Sequence, residues 1–333
     1  MKRSWLVLTI ASLVLSLSIP VLYGGLDSLR AIQAVRPSAI LLLIGMIVAA
    51  WVVNAMRIRL LVKALGGTLS PSAAVVAVIA SEFAGVATPA GAGNPATYIL
   101  LLSRSGLPVS SAAAVVAVDH FTDLVFFGTA VPMAVLLFAL DGGISHPLRI
   151  AGLMVGLFVL GLATLVLLLR NYRSIALVVG RVLGRTPRLH RSRFRLARGL
   201  LRFRDSMRVL LAMGFGRLVL LYLYCLVHWM LRYGVLPMVI WLLGKAVPWG
   251  YLFVMQGMLL FLGQVTFLPG GGGGVEVGFS ALLAPYLNAT STAAALLLWR
   301  FATFYWYLLA GAPIFILATG RTAARLRKLS DGG

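Results

Sequence analysis

Five consecutive glycines at positions 270–274 lie between two apolar segments and directly follow Pro269. Each glycine costs a regular helix roughly 1 kcal/mol relative to alanine, so this stretch interrupts any helix that enters it. Irregular backbone does not face lipid, because its N–H and C=O groups would lose their hydrogen bonds. The stretch therefore lies either in a loop outside the bilayer or where two half-helices meet inside protein. Transporters use the second arrangement for binding sites.

The composition indicates that a membrane surrounds this stretch. The chain has 333 residues, of which 61% are hydrophobic and 11% charged, and its mean hydropathy is +0.99. Soluble globular domains do not have such values, so we expect a single multi-pass membrane domain over 1–333, in the cell (cytoplasmic/inner) membrane. The net charge of +21 does not indicate nucleic acid, because the basic residues stand between apolar segments, where they set topology. Cys225 is the only cysteine, which excludes an internal disulfide.

The chain contains apolar segments long enough to cross a bilayer and shorter ones that are interrupted. Membrane spans are predicted at about 5–24, 38–56, 110–140, 148–169, 213–243 and 291–319. Two further segments, 71–104 and 250–287, are broken into pieces shorter than the ~20 residues that cross a bilayer, so they are predicted to form re-entrant hairpins. Ten full spans are the alternative. In both layouts most basic residues fall on one side, which predicts that both termini are cytoplasmic.

Two basic segments stand out in the second half of the chain. Segment 170–208 contains many arginines and one acid, Asp205, and predicts an amphipathic helix pair on the inner leaflet. Its simplest role is a topology anchor on anionic phospholipid, and recruitment of a lipid substrate is the alternative. The residues 321–333 form a basic cytoplasmic tail.

The chain also contains an internal repeat. A displacement of 180 residues places Pro89 on Pro269, and the order of elements repeats between 1–147 and 148–320. The first unit begins inside and the second outside. The predicted fold is therefore all-α with an inverted-topology repeat, about six full spans and two re-entrant hairpins that meet near the midplane.

Ionisable side chains inside membrane segments cost about 2.5–3.5 kcal/mol on insertion scales, and they indicate a functional site by default. The candidate substrate-binding residues are Arg300, Arg232, Glu276, Asp119, Asp123 and His120, with Gly271, Gly273 and Pro269 of the glycine stretch and Pro89 and Asn94 of the first hairpin. Glu82 and Glu276 are also candidate proton carriers.

Two interpretations of these charges are open. In the first, Arg232 and Arg300 pair with intramembrane carboxylates and only hold the helices together. In the second, an arginine leaves its partner and binds the phosphate of a lipid head group, which suits its planar, permanently charged guanidinium. Half-helix N-termini at the two breaks would add backbone N–H donors for the anion.

Enzymatic motifs are absent from the sequence. The histidines form no H-x-x-H pattern, and neither Walker A nor Gly-x-Ser-x-Gly occurs. We therefore expect no catalytic residue, no metal and no cofactor. One alternative is a membrane-embedded enzyme on a lipid-linked substrate, with Asp119, Asp123 or Glu276 as general base. Another is a non-transporting partner subunit of a lipid-modifying enzyme.

Three motifs resemble the lysylphosphatidylglycerol synthase transmembrane, or flippase-like, family. They are Pro269-Gly270-Gly271 through Glu276, Asp119-His120-Phe121-Thr122-Asp123, and Arg300-Phe301 with Phe304 and Tyr305. The resemblance covers about 38–318 and implies a relative of domains that move aminoacylated phospholipids between leaflets. Some members carry a C-terminal aminoacyl-transferase domain. This chain ends at Gly333, just past its last predicted span, so we expect no synthase activity.

Two departures from the family pattern bear on the substrate. The family often has Arg where His120 stands, and its first hairpin commonly carries Arg and Glu after the proline, whereas 90–95 here are uncharged. If those charges select the head group, the substrate differs. The sequence thus predicts a lipid flippase or lipid-head-group transporter. Its expected partners are membrane lipids, including anionic phospholipid at the inner leaflet, with a second copy of the chain or a soluble lipid-modifying enzyme as further candidates.

Overall fold

The structure is a computed structural model that describes residues 3–140, 156, 193–266 and 268–330. Within these ranges every regular element is helical and no strand occurs. The predicted span 148–169, positions 170–192 of the basic segment and the end of the tail at 331–333 lie outside the described residues.

The helices of the first half are α1 to α6, with bounds Arg3–Gly24, Asp27–Gln33, Pro37–Ala64, Pro71–Val86, Gly93–Arg104 and Val109–Leu140. Those described in the second half are α7 to α12, with bounds Arg193–Leu211, Phe215–Leu242, Trp249–Val265, Gly274–Leu283, Ala289–Arg300 and Trp306–Ser330. A 3-10 turn, Pro89–Gly91, separates α4 from α5, and a second one, Pro269–Gly271, separates α9 from α10. A π-helical turn, Phe301–Tyr305, joins α11 to α12.

Four of these helical runs are long and apolar enough to cross a membrane: Pro37–Ala64, Val109–Leu140, Phe215–Leu242 and Ala289–Gly320. The pair Ala11–Gly24 and Asp27–Gln33, bent by 102°, passes the same test as one unit. The all-α membrane class is therefore confirmed for the described chain. The count of six spans, the inverted repeat and the cytoplasmic termini stay predictions.

Helix α3 continues beyond the end predicted for the second span. The predicted span ends at 56 because the charged Arg57 follows, but the helix runs to Ala64 and Arg57 is only 1% exposed. The arginine is buried there because two carboxylates of α6 neutralise its charge. Arg57 therefore does not belong with the basic residues that set topology.

The two helix breaks share one backbone conformation. Each 3-10 turn begins with proline, and its second residue is left-handed, Ala90 at φ 51° and Gly270 at φ 62°. The glycine that closes each turn is left-handed too, at φ 67° in the first break and φ 69° in the second. A left-handed alanine is rare because its Cβ approaches the following carbonyl. The surrounding structure therefore holds Ala90 in a conformation that costs an alanine free energy, the same conformation that Gly270 adopts without a Cβ.

Each pair of half-helices folds back on itself as an antiparallel hairpin. In the first hairpin a Cβ added at Gly93 would lie 2.3 Å from the carbonyl oxygen of Ala84. In the second, a Cβ at Gly274 would lie 2.4 Å from the Thr266 side chain. The two 3-10 turns contact each other, so the hairpins meet at their breaks.

Longer helices surround the hairpins. Helix α3 packs along α8, and α12 packs along α4. Helix α1 covers the second break from outside, where the Ser12 hydroxyl donates to the carbonyl oxygen of Pro269. Helix α7 packs against α6, and the Ser206 hydroxyl donates to that of Ser111 at 3.0 Å. Pro269 and Gly271 of the second break are buried, as irregular backbone in a bilayer must be, whereas the first break is partly exposed, with Ala90 the most open of its three residues.

Substitution of Gly270 by alanine is expected to destabilise the protein. The added Cβ would lie 2.1 Å from the Phe304 ring, at a left-handed φ. We expect a loss of about 2 kcal/mol or more in the free energy of unfolding. Thermal unfolding in detergent measures it, with Gly257→Ala in the regular part of α9 as control, because no atom lies within 4 Å of that Cβ position. Equal unfolding temperatures for the two variants would contradict the account.

Candidate functional site

A cavity of about 510 Å³ lies where the two breaks meet. Its volume is within the range of small-molecule sites. Its wall comes from both breaks and from α3, α4, α5, α6, α8, α9 and α11. The charged and imidazole side chains that line it are Arg57, Glu82, Asp119, His120, Asp123, His228, Arg232 and Arg300.

Arg57 on α3 binds the two acids of α6. Its Nε lies 2.6 Å from Oδ1 of Asp119, and its Nη1 lies 2.6 Å from Oδ1 of Asp123. The indole N–H of Trp229 donates to the same Asp123 oxygen at 2.8 Å. The side chains of Arg57 and Asp119 are 1% and 3% exposed. This cluster joins α3, α6 and α8, with Arg57 and Asp119 almost fully buried and Asp123 partly exposed at 18%.

His120 stands at the rim of the same cluster. Its Nδ1 is 3.5 Å from Oδ2 of Asp123, and half of its side chain is exposed. The ligand atoms of Asp119, His120 and Asp123 lie within 4.8 Å of one another, a grouping that could hold a cation. Both carboxylates are already bound by the guanidinium of Arg57, so we assign no metal to this group.

Arg232 on α8 pairs with Glu82 on α4. Its Nη1 donates to Oε2 of Glu82 at 3.1 Å, and the two side chains are 18% and 10% exposed. The guanidinium carbon lies 5.3 Å from the ring centroids of Trp229 and Tyr307, which is within cation–π range. The pair crosses the bundle from α8 to the first hairpin and is open to the cavity.

Arg300 and Glu276 form a third pair, at the second break. The Nη2 of Arg300 lies 2.7 Å from Oε1 of Glu276, and its Nη1 donates to the carbonyl oxygen of Gly270 at 2.9 Å. The other carboxylate oxygen of Glu276 accepts from the N–H of Gly273 at 2.6 Å. Glu276 is completely buried. Arg300 therefore fixes the break and the start of α10 together.

The half-helix N-termini offer fewer free donors than the sequence suggested. The N–H of Gly93, at the start of α5, donates to the Thr88 hydroxyl at 2.7 Å. The N–H of Gly273, before α10, donates to the carboxylate of Glu276. These two N–H groups are already hydrogen-bonded, so they are not available to an anion. The Glu276 carboxylate also neutralises the positive end of the α10 dipole.

The structure places the predicted site residues in two groups. Those that line the cavity are Arg300, Arg232, Asp119, Asp123, His120, Gly271, Asn94 and Glu82. Those that do not line it but shape the breaks are Pro89, Pro269, Gly273 and Glu276. Of the pairings considered from sequence, Arg300 with Glu276 is observed, whereas Arg232 binds Glu82 and the acids of α6 bind Arg57.

Several lining residues were missed at the level of sequence. Arg57 directly follows the predicted span 38–56 and was given no role in the site. The amides of Asn54 and Gln256 were overlooked, although each interrupts a long apolar run. The first donates to the hydroxyl of Tyr98 at 3.1 Å, and the second to the carbonyl oxygen of Tyr233 at 3.0 Å. An amide in an apolar run was the signal that could have found them.

This fold and cavity define a class: polytopic helical membrane proteins with a charged internal cavity between two broken helices. The chain belongs to the lysylphosphatidylglycerol synthase TM region family, whose model matches residues 6–311. It is also 25% identical over 284 residues to a UPF0104 membrane protein of Archaeoglobus fulgidus, a match that covers 83% of this chain and 86% of that protein. The family resemblance read from the motifs is thereby confirmed.

Arg57→Gln is expected to destabilise the protein strongly, because it leaves the Asp119 and Asp123 carboxylates inside the bundle without their cation. The expected loss is about 3–5 kcal/mol in the free energy of unfolding. Thermal unfolding in detergent checks this. The matched control is Arg30→Gln, since Arg30 pairs with Asp27 at the surface, where both side chains are mostly exposed. A variant of Arg57 that unfolds with the control would show that the buried cluster does not stabilise the bundle.

Proposed function

We propose that this chain is a lipid flippase or lipid-head-group transporter, which moves a phospholipid or lipid-linked substrate between leaflets. One observation carries the proposal. Two helix breaks with matching 3-10 turns meet at a cavity lined by three arginines and three carboxylates, within the bundle of a membrane protein. Buried charge of this kind is costly in a membrane, and a polar substrate that enters the cavity accounts for its presence.

The proposed topology is an inverted repeat with units 1–147 and 148–320. The best support is that the turns Pro89–Gly91 and Pro269–Gly271 agree in conformation at the 180-residue displacement found in the sequence. In this proposal the hairpins 71–104 and 250–287 are re-entrant and approach from opposite faces, six spans surround them, and both termini are cytoplasmic.

The substrate enters by its head group, while its acyl chains stay in lipid. The cavity volume of about 510 Å³ suits a head group and is small for a whole phospholipid. The arginines that would meet a phosphate are Arg232 and Arg300, and Asn94 and His120 supply further polar contacts. Positive and negative side chains both line the cavity. The cavity can therefore contact positively charged groups of a head group as well as its phosphate.

Proton coupling, if it accompanies transport, belongs to Glu82 rather than Glu276. Glu276 is completely buried, and its two carboxylate oxygens are engaged by Arg300 and by the N–H of Gly273. Glu82 lines the cavity and has a single arginine contact. A carboxylate that exchanges protons with water must be reached from the cavity, as Glu82 is.

Helix α7 is proposed to rest on the inner leaflet. One side of it, with Met207 and Leu210, is buried against the bundle, while Leu200 and Leu201 are 37% and 47% exposed next to exposed Arg202. Exposed leucine beside arginine suits anionic phospholipid at the interface. This helix would anchor the chain and concentrate lipid near the cavity.

The contacts of the carboxylates favour binding over catalysis. Each acid considered as a general base, Asp119, Asp123 or Glu276, accepts a short hydrogen bond or ion pair from an arginine. In each of these acids at least one carboxylate oxygen is therefore already occupied by an arginine. The enzyme alternative therefore has less support than transport.

Lipid translocation in proteoliposomes tests the proposal. Fluorescent phospholipids in the inner leaflet become accessible to a membrane-impermeant quencher only after translocation. The native protein is expected to accelerate this for at least one head group. Ala92→Trp should reduce the acceleration at least tenfold, because Ala92 lines the cavity and the indole would fill it.

The control is Leu41→Trp, since Leu41 is 68% exposed on the outside of α3. This variant should translocate lipid like the native protein. No acceleration by native protein for anionic, zwitterionic or cationic phospholipids, or for polyprenyl phosphates, would contradict the proposal.

A further inference from the structure

The three arginines that line the cavity differ in how strongly they are bound. Arg57 makes two 2.6 Å contacts to two carboxylates, and Arg300 contacts both Glu276 and the carbonyl oxygen of Gly270. The guanidinium of Arg232 has one hydrogen bond within the described residues, of 3.1 Å, at the long end of the range for charged pairs. Arg232 is also the most exposed of the three, at 18%. Of these three, Arg232 can change partners at the lowest cost.

Two unpaired hydroxyl groups lie beside Arg232. The O–H groups of Tyr233 and Tyr307 are buried, with residue exposures of 3% and 1%, and neither O–H has an acceptor among the described residues, although the indole N–H of Trp51 approaches the Tyr307 oxygen. Tyr233 lines the cavity, and the ring centroid of Tyr307 lies 5.3 Å from the guanidinium carbon of Arg232. Buried hydroxyls are normally hydrogen-bonded, so these two donors indicate that an acceptor is missing at this place.

We propose that Arg232, with the Tyr233 and Tyr307 hydroxyls, is the phosphate-binding group of the cavity. When phosphate takes the place of Glu82 as the partner of Arg232, the Glu82 carboxylate takes up one proton. This inference rests on the proposed function and deepens it, because it assigns the substrate anion to one arginine of three and couples its binding to a proton. A phosphodiester monoanion satisfies the guanidinium and both hydroxyls.

The proton follows from charge balance. In the observed state Glu82 and Arg232 neutralise each other. When a phosphodiester anion pairs with Arg232, the Glu82 carboxylate is left buried without a cation, and a proton from bulk water converts it to the neutral acid. The net charge of the site is zero before and after, so an anion crosses the low-dielectric interior without uncompensated charge.

Other charged groups do not remove this need. Helix α4 packs against α3, α5, α12 and the two 3-10 turns. These elements face Glu82 with Arg57, which is engaged by two acids, and with the neutral phenols of Tyr98 and Tyr307. The 3-10 turns contain only proline, alanine and glycine. Arg232, from α8, is the cation that is available to Glu82 among the described residues.

Calorimetric titration of the purified full chain in detergent tests the inference. Two probes separate the possible sources of the phosphate: dihexanoylphosphatidylglycerol, a short-chain lipid, and dimethyl phosphate, which has the same phosphodiester without acyl chains. Binding heats in buffers of different ionisation enthalpy give the number of protons taken up. We expect uptake of about one proton per bound lipid probe. The affinity should then fall about tenfold for each unit rise in pH, over the pH range in which Glu82 is charged in the free protein and neutral in the complex.

Two variants and one control assign the proton. Glu82→Gln should bind the lipid probe at least as tightly as native protein, without proton uptake and without pH dependence. Arg232→Gln should weaken binding at least thirtyfold. Asp27→Asn, at the exposed pair with Arg30, should behave like native protein. The native measurement needs no variant, so the test stands even if Glu82→Gln does not fold.

The outcomes separate this inference from the transport proposal. Lipid-probe binding without proton uptake, proton uptake that persists in Glu82→Gln, or no binding of either probe overturns the inference. Dimethyl phosphate that binds as tightly as the lipid probe supports the phosphate site and identifies a free phosphodiester as sufficient. Proton-coupled binding together with no lipid translocation in proteoliposomes supports this inference and overturns the transport proposal.

Discussion

The pairing of arginine with carboxylate inside the bundle is the interaction on which the rest of the described structure depends. Each of the three buried pairs joins separate helices or turns: α3 to α6, α8 to the first hairpin, and α11 to the second. A charge without its partner in this environment would cost several kcal/mol. The pairs therefore determine which helices lie next to each other, and they place polar atoms around a cavity that apolar packing alone would have closed.

The two breaks make that arrangement possible. A continuous helix satisfies its own backbone and presents only side chains, whereas the left-handed turns bring the backbone of Gly270 and Gly271 to the cavity wall. Glycine is needed at Gly270 because the Phe304 ring lies where its Cβ would be. The first break has alanine at the same place, and Ala90 is exposed. The same backbone thus recurs with different side-chain constraints.

The sequence predicted the broad plan because that plan rests on hydropathy and on glycine and proline. The glycine stretch and Pro89 were both recognised as helix breaks from residue type alone. The partners of the charges were not predictable, because they depend on which helices touch. Arg57 looked like the end of a span, yet it is buried by acids located 62 and 66 residues further along the chain. Likewise, Glu82 was recognised as an intramembrane acid, but its pairing with Arg232 needs the packing of α8 near the first hairpin.

The most direct measurement of the central claim is a cryo-electron microscopy map of the protein in lipid nanodiscs. The account predicts density for a lipid head group inside the cavity, with its phosphate against Arg232 and its acyl chains leading out to the bilayer. It also predicts that Arg57 and Arg300 keep their carboxylate partners in that state. A map at similar resolution with ordered lipid only on the outer surface of the bundle, and with water alone between the two breaks, would contradict it.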